Sequence, residues 1–218
     1  MRIRSLLSVA VLCGGMGAMA LAQSVPEVKL PPSPAGQAAL QVGGKWEKTA
    51  EGGQTYRDGK WIVVDYGRPL LRGRKEIFGA GADYGKTVNA DAPLWRAGAN
   101  NTTRLTTQAT LQIGGKTIAP GTYNVFVDLK PGNWMLVMST QPVQETFDPN
   151  DKVKLSGATN YDPKFDVVRA PMTVRANDSS VEQFNISFSN VTEAGATLDM
   201  AWEKTLASIE IKLVAGAK

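Results

Sequence analysis

An antiparallel all-β sandwich, with a barrel as the second choice, is the fold this sequence predicts, and three features predict it. Short runs alternate apolar and polar residues with a period of two. Turn-forming residues punctuate those runs at close spacing. No window of helical length carries a 3.6-residue apolar period.

The elements follow in order. Trp61 to Tyr66 is rich in β-branched and aromatic residues and reads as a strand. From Arg104 to Ile113, Leu105, Thr107, Ala109, Leu111 and Ile113 share one face, and Arg104, Thr106, Gln108, Thr110 and Gln112 the other; this reads as one half-buried strand. Hairpin turns are expected at Asp58-Gly59, between Gln54–Arg57 and Lys60–Asp65, and at Gly114-Gly115. A third is expected at Pro131-Gly132-Asn133, between Tyr123–Leu129 and Trp134–Ser139. Later strands are expected at Phe165–Arg175, Val181–Ser189, Ala196–Trp202 and Ala207–Leu213. Two stretches break the pattern. Residues 68–103 form a long Gly-rich and Arg-rich loop expected to be ordered, and residues 141–162 are polar and read as a surface excursion.

Three segments are expected: a signal peptide over 1–22, a Pro-rich tether over 23–34 and a single β-sandwich domain over 35–218. Arg2 and Arg4 precede the apolar stretch Leu6 to Leu21, and Ala20-Leu21-Ala22 is a small-x-small cleavage site. The expected location is therefore periplasmic or extracellular, with no membrane span left after cleavage. Cys13 is filler in that apolar stretch.

Removing the signal changes the electrostatics. The whole chain carries a formal charge of +4, and without Arg2 and Arg4 this falls to +2. Nucleic acid is not an expected partner at so small an excess. The chain has no histidine, and its one cysteine is Cys13. Imidazole bases, thiolate nucleophiles and His- or Cys-ligated zinc are thereby excluded from the mature domain, and no cofactor is expected. Phosphate-loop and dinucleotide fingerprints are absent too.

The stretches "VDYGRPLLRGRKEIFG", "YGK", "LWRAGANNTTRLTT", "IGGKTIAPGTYNVF" and "FNISFSNVTEAGATLDMAWEKTLASIEI" together resemble the bacterial exported family catalogued as domain of unknown function 2911. The resemblance runs from about Ser33 to Leu213. It departs at Gly67, where the family motif Tyr-Ser-Arg-Pro has serine, and the segments Lys45–Gly59 and Lys86–Pro93 are longer than the family spacing. The resemblance implies an extracytoplasmic β-rich domain and no particular activity.

The candidate site draws on both parts of the long loop. Arg68, placed in extended backbone by Pro69, and Arg96, in the glycine-broken segment before Asn100, flank apolar strands. One reading pairs Arg68 or Arg96 with Asp65 or Asp83 as a structural staple. The other lets Arg68, Arg96, Asn100, Tyr84 and Asp65 converge on a pocket for a small anion or sugar, with Trp95 as a wall. Arg72, Arg74 and Lys75 are expected to be solvated. A non-catalytic ligand-binding or interaction module is the expected role, its partner a small anionic or sugar ligand or an envelope protein. A hydrolase working with carboxylates alone, drawn from Asp65, Glu76, Asp83, Asp128 or Glu203, and a purely structural envelope protein are the alternatives.

Overall fold

The computed structural model describes residues 27–214. The expected signal peptide, Cys13 and the first residues of the tether lie outside the described residues. From Ala35 the chain forms β1 (Ala35–Val42), β2 (Lys45–Lys48), β3 (Gln54–Arg57), β4 (Lys60–Gly67), β5 (Thr103–Thr107), β6 (Leu111–Ile113), β7 (Lys116–Ile118) and β8 (Gly121–Asp128). There follow β9 (Met135–Ser139), β10 (Asp166–Pro171), β11 (Thr173–Thr192) and β12 (Gly195–Leu213). Among the described residues the one α-helical turn, α1, spans Lys86–Asn89.

Two open antiparallel sheets face each other, so the fold is the sandwich and not the barrel. The first has six strands in the order β1-β4-β5-β8-β9-β10, the second four in the order β11-β12-β6-β7, and β2 and β3 form a separate pair. The inward residues of both sheets make the core. Val64, Leu105, Val125, Leu136 and Met138 come from the first, and Leu111, Ile113, Leu198, Met200 and Ile211 from the second.

Two expected strands cross from sheet to sheet. The alternation over Arg104–Ile113 holds for burial, but the chain leaves the six-stranded sheet after Thr107 and enters the other at Leu111. The Thr107 hydroxyl accepts from the Ala109 N–H at 3.0 Å and closes the corner. Phe165–Arg175 divides in the same way at Met172, between β10 and β11. Inside and outside keep a period of two across such corners, so the pattern does not register the change of sheet.

The turn expected at Asp58-Gly59 is a hinge instead. β3 pairs with β2 and β4 with β1, so β1-β2 and β3-β4 form one long hairpin that is interrupted where Gly43-Gly44 faces Asp58-Gly59. Gly43 and Asp58 both adopt positive φ, at 69° and 58°, and break the ladder from both sides. The turns at Gly114-Gly115 and Pro131–Asn133 join paired strands as expected. The strands expected at Ala196–Trp202 and Ala207–Leu213 are one element, β12, which doubles back at Glu203 (φ 51°). The Ser208 hydroxyl thus reaches Asp199 at 2.5 Å, and the Leu213 N–H reaches the Ala194 carbonyl at 2.7 Å.

The long loop is ordered and closes one end of the sandwich. Leu71, Ile77, Phe78, Leu94, Trp95 and Ala97 are buried. Trp95 exchanges both backbone hydrogen bonds with Val127, at 3.0 and 2.8 Å, and so takes a position beside β8 that β5 does not reach. Its indole packs among Phe78, Trp134, Phe184 and Trp202. The Glu203 carboxylate accepts from the N–H groups of Glu76 (2.7 Å) and Ile77 (2.9 Å) and anchors the loop to the bend of β12. The excursion over 141–162 is not only surface. Leu155 and Ala158 pack with Phe126, Val137 and Leu94 in a second small core on the outer face of the six-stranded sheet.

Candidate functional site

The excursion covers only half of that outer face, and the site lies where the cover ends. Register carries one polar row across all six strands: Gln37, Asp65, Arg104, Asn124, Ser139 and Asp166. Asn124 and Ser139 are buried under the excursion, where the Asn124 amide donates to the Gln141 carbonyl at 2.6 Å and the Ser139 hydroxyl accepts from the Gln141 N–H at 3.1 Å. Gln37, Asp65 and Arg104 stay exposed.

Between the exposed half and the edge of the excursion runs a groove of about 450 Å³. Its floor is Asp65 and Arg104 with the backbone of Gly36 and Gly67. One wall is Ala99 to Thr102 with Ser33, and the other is Val143 to Glu145, Phe147 and Leu155 to Gly157. Asn100, at φ 62°, holds the first wall against the tether through its amide, which donates to the Ser33 carbonyl at 3.0 Å. The Thr102 hydroxyl donates to the Gly157 carbonyl at 2.8 Å and fixes the spacing of the two walls.

Polar groups in the groove are unequally occupied. Asp65 accepts from the Gln37 amide at 2.7 Å. Arg104 lies directly across the strand pair from Asp65, yet among the described residues its guanidinium makes no ion pair and no hydrogen bond. Arg96 is half-buried behind the wall. Its guanidinium occupies the space where a Gly157 side chain would stand and donates to the Asn100 carbonyl at 2.6 Å. Burial draws that guanidinium below the ordinary arginine value.

Of the six residues singled out in the sequence, Asp65 and Asn100 line this groove and Arg96 supports it. Arg68 does not reach it. Its stem packs over Gly36 on the inward side of the sheet, and its buried Nε has no partner among the described residues. Trp95 is a core residue, 1% exposed, and not a pocket wall. The Tyr84 hydroxyl is taken by the Trp134 indole N–H at 2.7 Å. The expected staples are absent among the described residues: Asp83 pairs with Lys86 at 2.8 Å, and neither arginine pairs with it or with Asp65. Arg74, expected to be solvated, donates to the Leu70 and Leu71 carbonyls and lies over the Trp202 ring.

Arg104, Glu145 and Phe147 were missed by sequence reasoning. Arg104 left one trace: it is the only charged residue on the polar face of its strand. The carboxylates considered for hydrolysis are mostly in use, Glu203 on the loop, Asp128 on Arg169 at 3.2 Å and Asp83 on Lys86. Among the described residues no cluster of acidic side chains is placed to hold a metal ion, and no helix is long and apolar enough to cross a membrane.

No curated protein and no solved structure matches the chain. A family match covers residues 47–211, which contain Asp65, Gly67 and Arg104 of the groove floor, most of both its walls and the whole aromatic core; the chain belongs to the family described as "Protein of unknown function (DUF2911)".

Proposed function

We propose that this protein is an exported, non-catalytic ligand-binding module whose groove takes a small polar ligand of the sugar class. The observation that carries this reading is the guanidinium of Arg104 on the groove floor, without a partner among the described residues, with the Asn101 amide, the side-chain oxygen of Asn100 and the hydroxyls of Ser33 and Ser156 around it. Loops held on a rigid sheet are the usual place for such a site. Charge favours a sugar over a simple anion. Arg104 and Arg96 stand against Asp65 and Glu145, so the local balance is near zero and a lone phosphate gains little. A hydroxyl-rich molecule has partners for both the donors and the acceptors. Export rests on the N-terminal segment and on a mature chain without cysteine.

A carboxylate hydrolase has one observation behind it, that Asp65 and Glu145 line the same groove. Both are open to solvent, whereas the proton donor of such chemistry is ordinarily set apart by burial. The binding reading is therefore the stronger.

Thermal unfolding of the mature domain with glucose, N-acetylglucosamine, glucuronate and inorganic phosphate is the test. A ligand at about a hundred times its Kd adds about 2.7 kcal/mol to the native state. The expected result is a rise of a few degrees with at least one sugar, no rise with phosphate, and loss of the rise in Arg104→Ala. No shift with any sugar, or a shift that Arg104→Ala leaves intact, contradicts the reading and favours a structural role or a protein partner.

A further inference from the structure

The outer face does not end at the groove. One row away from Gln37, Asp65 and Arg104 stand Ala39, Val63 and Thr106, and one row further Gln41 and Trp61. The middle row is small, so the floor stays shallow and open between the polar end and Trp61, a span of roughly 13 Å along β4. Trp61 faces away from the core and is 44% exposed. Beyond it the Tyr56 ring lies over Gly59 beside Gln41, and Trp46 packs edge-on against it at 5.4 Å. Trp46 is 66% exposed, and at the opposite end of the face Phe147 is 70% exposed.

Tyr56 serves the hinge, since its hydroxyl accepts from the Gly44 N–H at 2.9 Å, but neither core asks for the two tryptophans. Trp46 and Tyr56 belong to the separate β2-β3 pair, which adds nothing to either core, and the Trp61 position tolerates any strand-forming side chain. The common property of Trp46 and Trp61 is an exposed aromatic face on the same side of the sheet as the groove. A pyranose ring offers an apolar C–H face to an aromatic ring and a hydroxyl edge to amides and hydroxyls. A face with aromatics at both ends, a flat small-residue strip between them and almost no net charge suits a chain of such rings better than it suits an ion or an acidic polymer.

Building on the groove reading above, we infer that the ligand is an extended, largely uncharged oligosaccharide. One end occupies the groove at Arg104 and Asn100, and further rings lie along the Ala39-Val63-Thr106 strip to stack on Trp61 and Trp46. Ligand length is then the variable that matters. A disaccharide fills the groove alone, and a hexasaccharide reaches the aromatic end.

Calorimetric titration of the mature protein with the disaccharides and hexasaccharides of the cello-, malto- and chito- series tests this, with Arg104→Ala and the double variant Trp46→Ala/Trp61→Ala. The expected result is a hexasaccharide at least tenfold tighter than its disaccharide. In the double variant that advantage disappears while disaccharide affinity is kept, and Arg104→Ala weakens both. Equal affinity for the two lengths, or a length advantage that survives in the double variant, overturns the extended-ligand inference and leaves the groove reading standing. Length-dependent binding that Arg104→Ala does not weaken overturns the groove reading itself, and with it this inference. Binding of none of the oligosaccharides overturns the inference, and a monosaccharide thermal shift that depends on Arg104 still separates that outcome from failure of the groove. Both substituted tryptophans face solvent, so unchanged far-ultraviolet dichroism and unfolding midpoint are expected for the double variant.

Discussion

Arg104 and Arg169 occupy the outer face of the same sheet and illustrate two uses of one side chain. Arg169 donates to Asp166 (2.9 Å), Asp128 (3.2 Å) and the Tyr161 hydroxyl (3.0 Å), and its charge is fully committed to fastening the excursion to β8 and β10. Arg104 has no such partners among the described residues and lies on the groove floor, where the excursion's cover ends. The committed cluster makes a pH prediction. Burial, then the hydrogen bond to Asp166 at 2.5 Å, pushes the Tyr161 phenol up to about 12. In the unfolded chain the same phenol ionises near about 10. Its pKa is thus raised on folding, so its contribution to stability is present below pH ~10 and is lost as pH rises through ~12. Chemical denaturation of wild type and Tyr161→Phe across that window is expected to show the extra alkaline loss in wild type alone. Identical slopes in the two proteins contradict the tyrosine's role.

Between elements, close backbone approaches decide what the site looks like. Gly67 ends β4, and a Cβ there would collide with the Ala99 carbonyl. Across the same contact Gly98, at φ 154°, has room for no more than hydrogen, since its Cβ would stand 2.8 Å from the Gly67 carbonyl. The segment carrying Asn100 therefore lies against β4 more closely than a serine permits, and the groove wall is set by that contact. Gly67→Ser is expected to cost about 1–3 kcal/mol and to displace the Ala99–Thr102 wall. Equilibrium denaturation together with sugar affinity checks this, and a variant of wild-type stability and affinity contradicts it. Here the limits of the sequence have a physical cause. Arg104's position on the polar face was legible from a period of two, whereas its freedom from partners depends on where Gln37 and the excursion come to rest. The pairing of β1 with β4 is another such case, because Asp58-Gly59 has the composition of a turn and only its position opposite Gly43-Gly44 makes it a hinge.

At the scale of the molecule, the sandwich separates two jobs by face and by end. The loop over 68–103 closes one end with a cluster of five aromatic rings, and the excursion over 141–162 covers half of one face. On the half of that face left uncovered lies the groove, from Phe147 to Arg104. Composition alone excluded histidine chemistry, since the chain has no histidine. The location of the open surface was not legible, because it is set by which part of a sheet a distant segment fails to cover. The most direct test of the central claim is to map backbone amide shifts of the isotope-labelled mature domain on titration with N-acetylglucosamine and glucose. The prediction is that perturbed amides concentrate in residues 33–37, 65–67, 99–104, 143–147 and 155–157, around the groove. Shifts gathered instead around Leu70, Arg72 and Arg74, or in the depression between Gly115, Pro171 and Glu210, would contradict it.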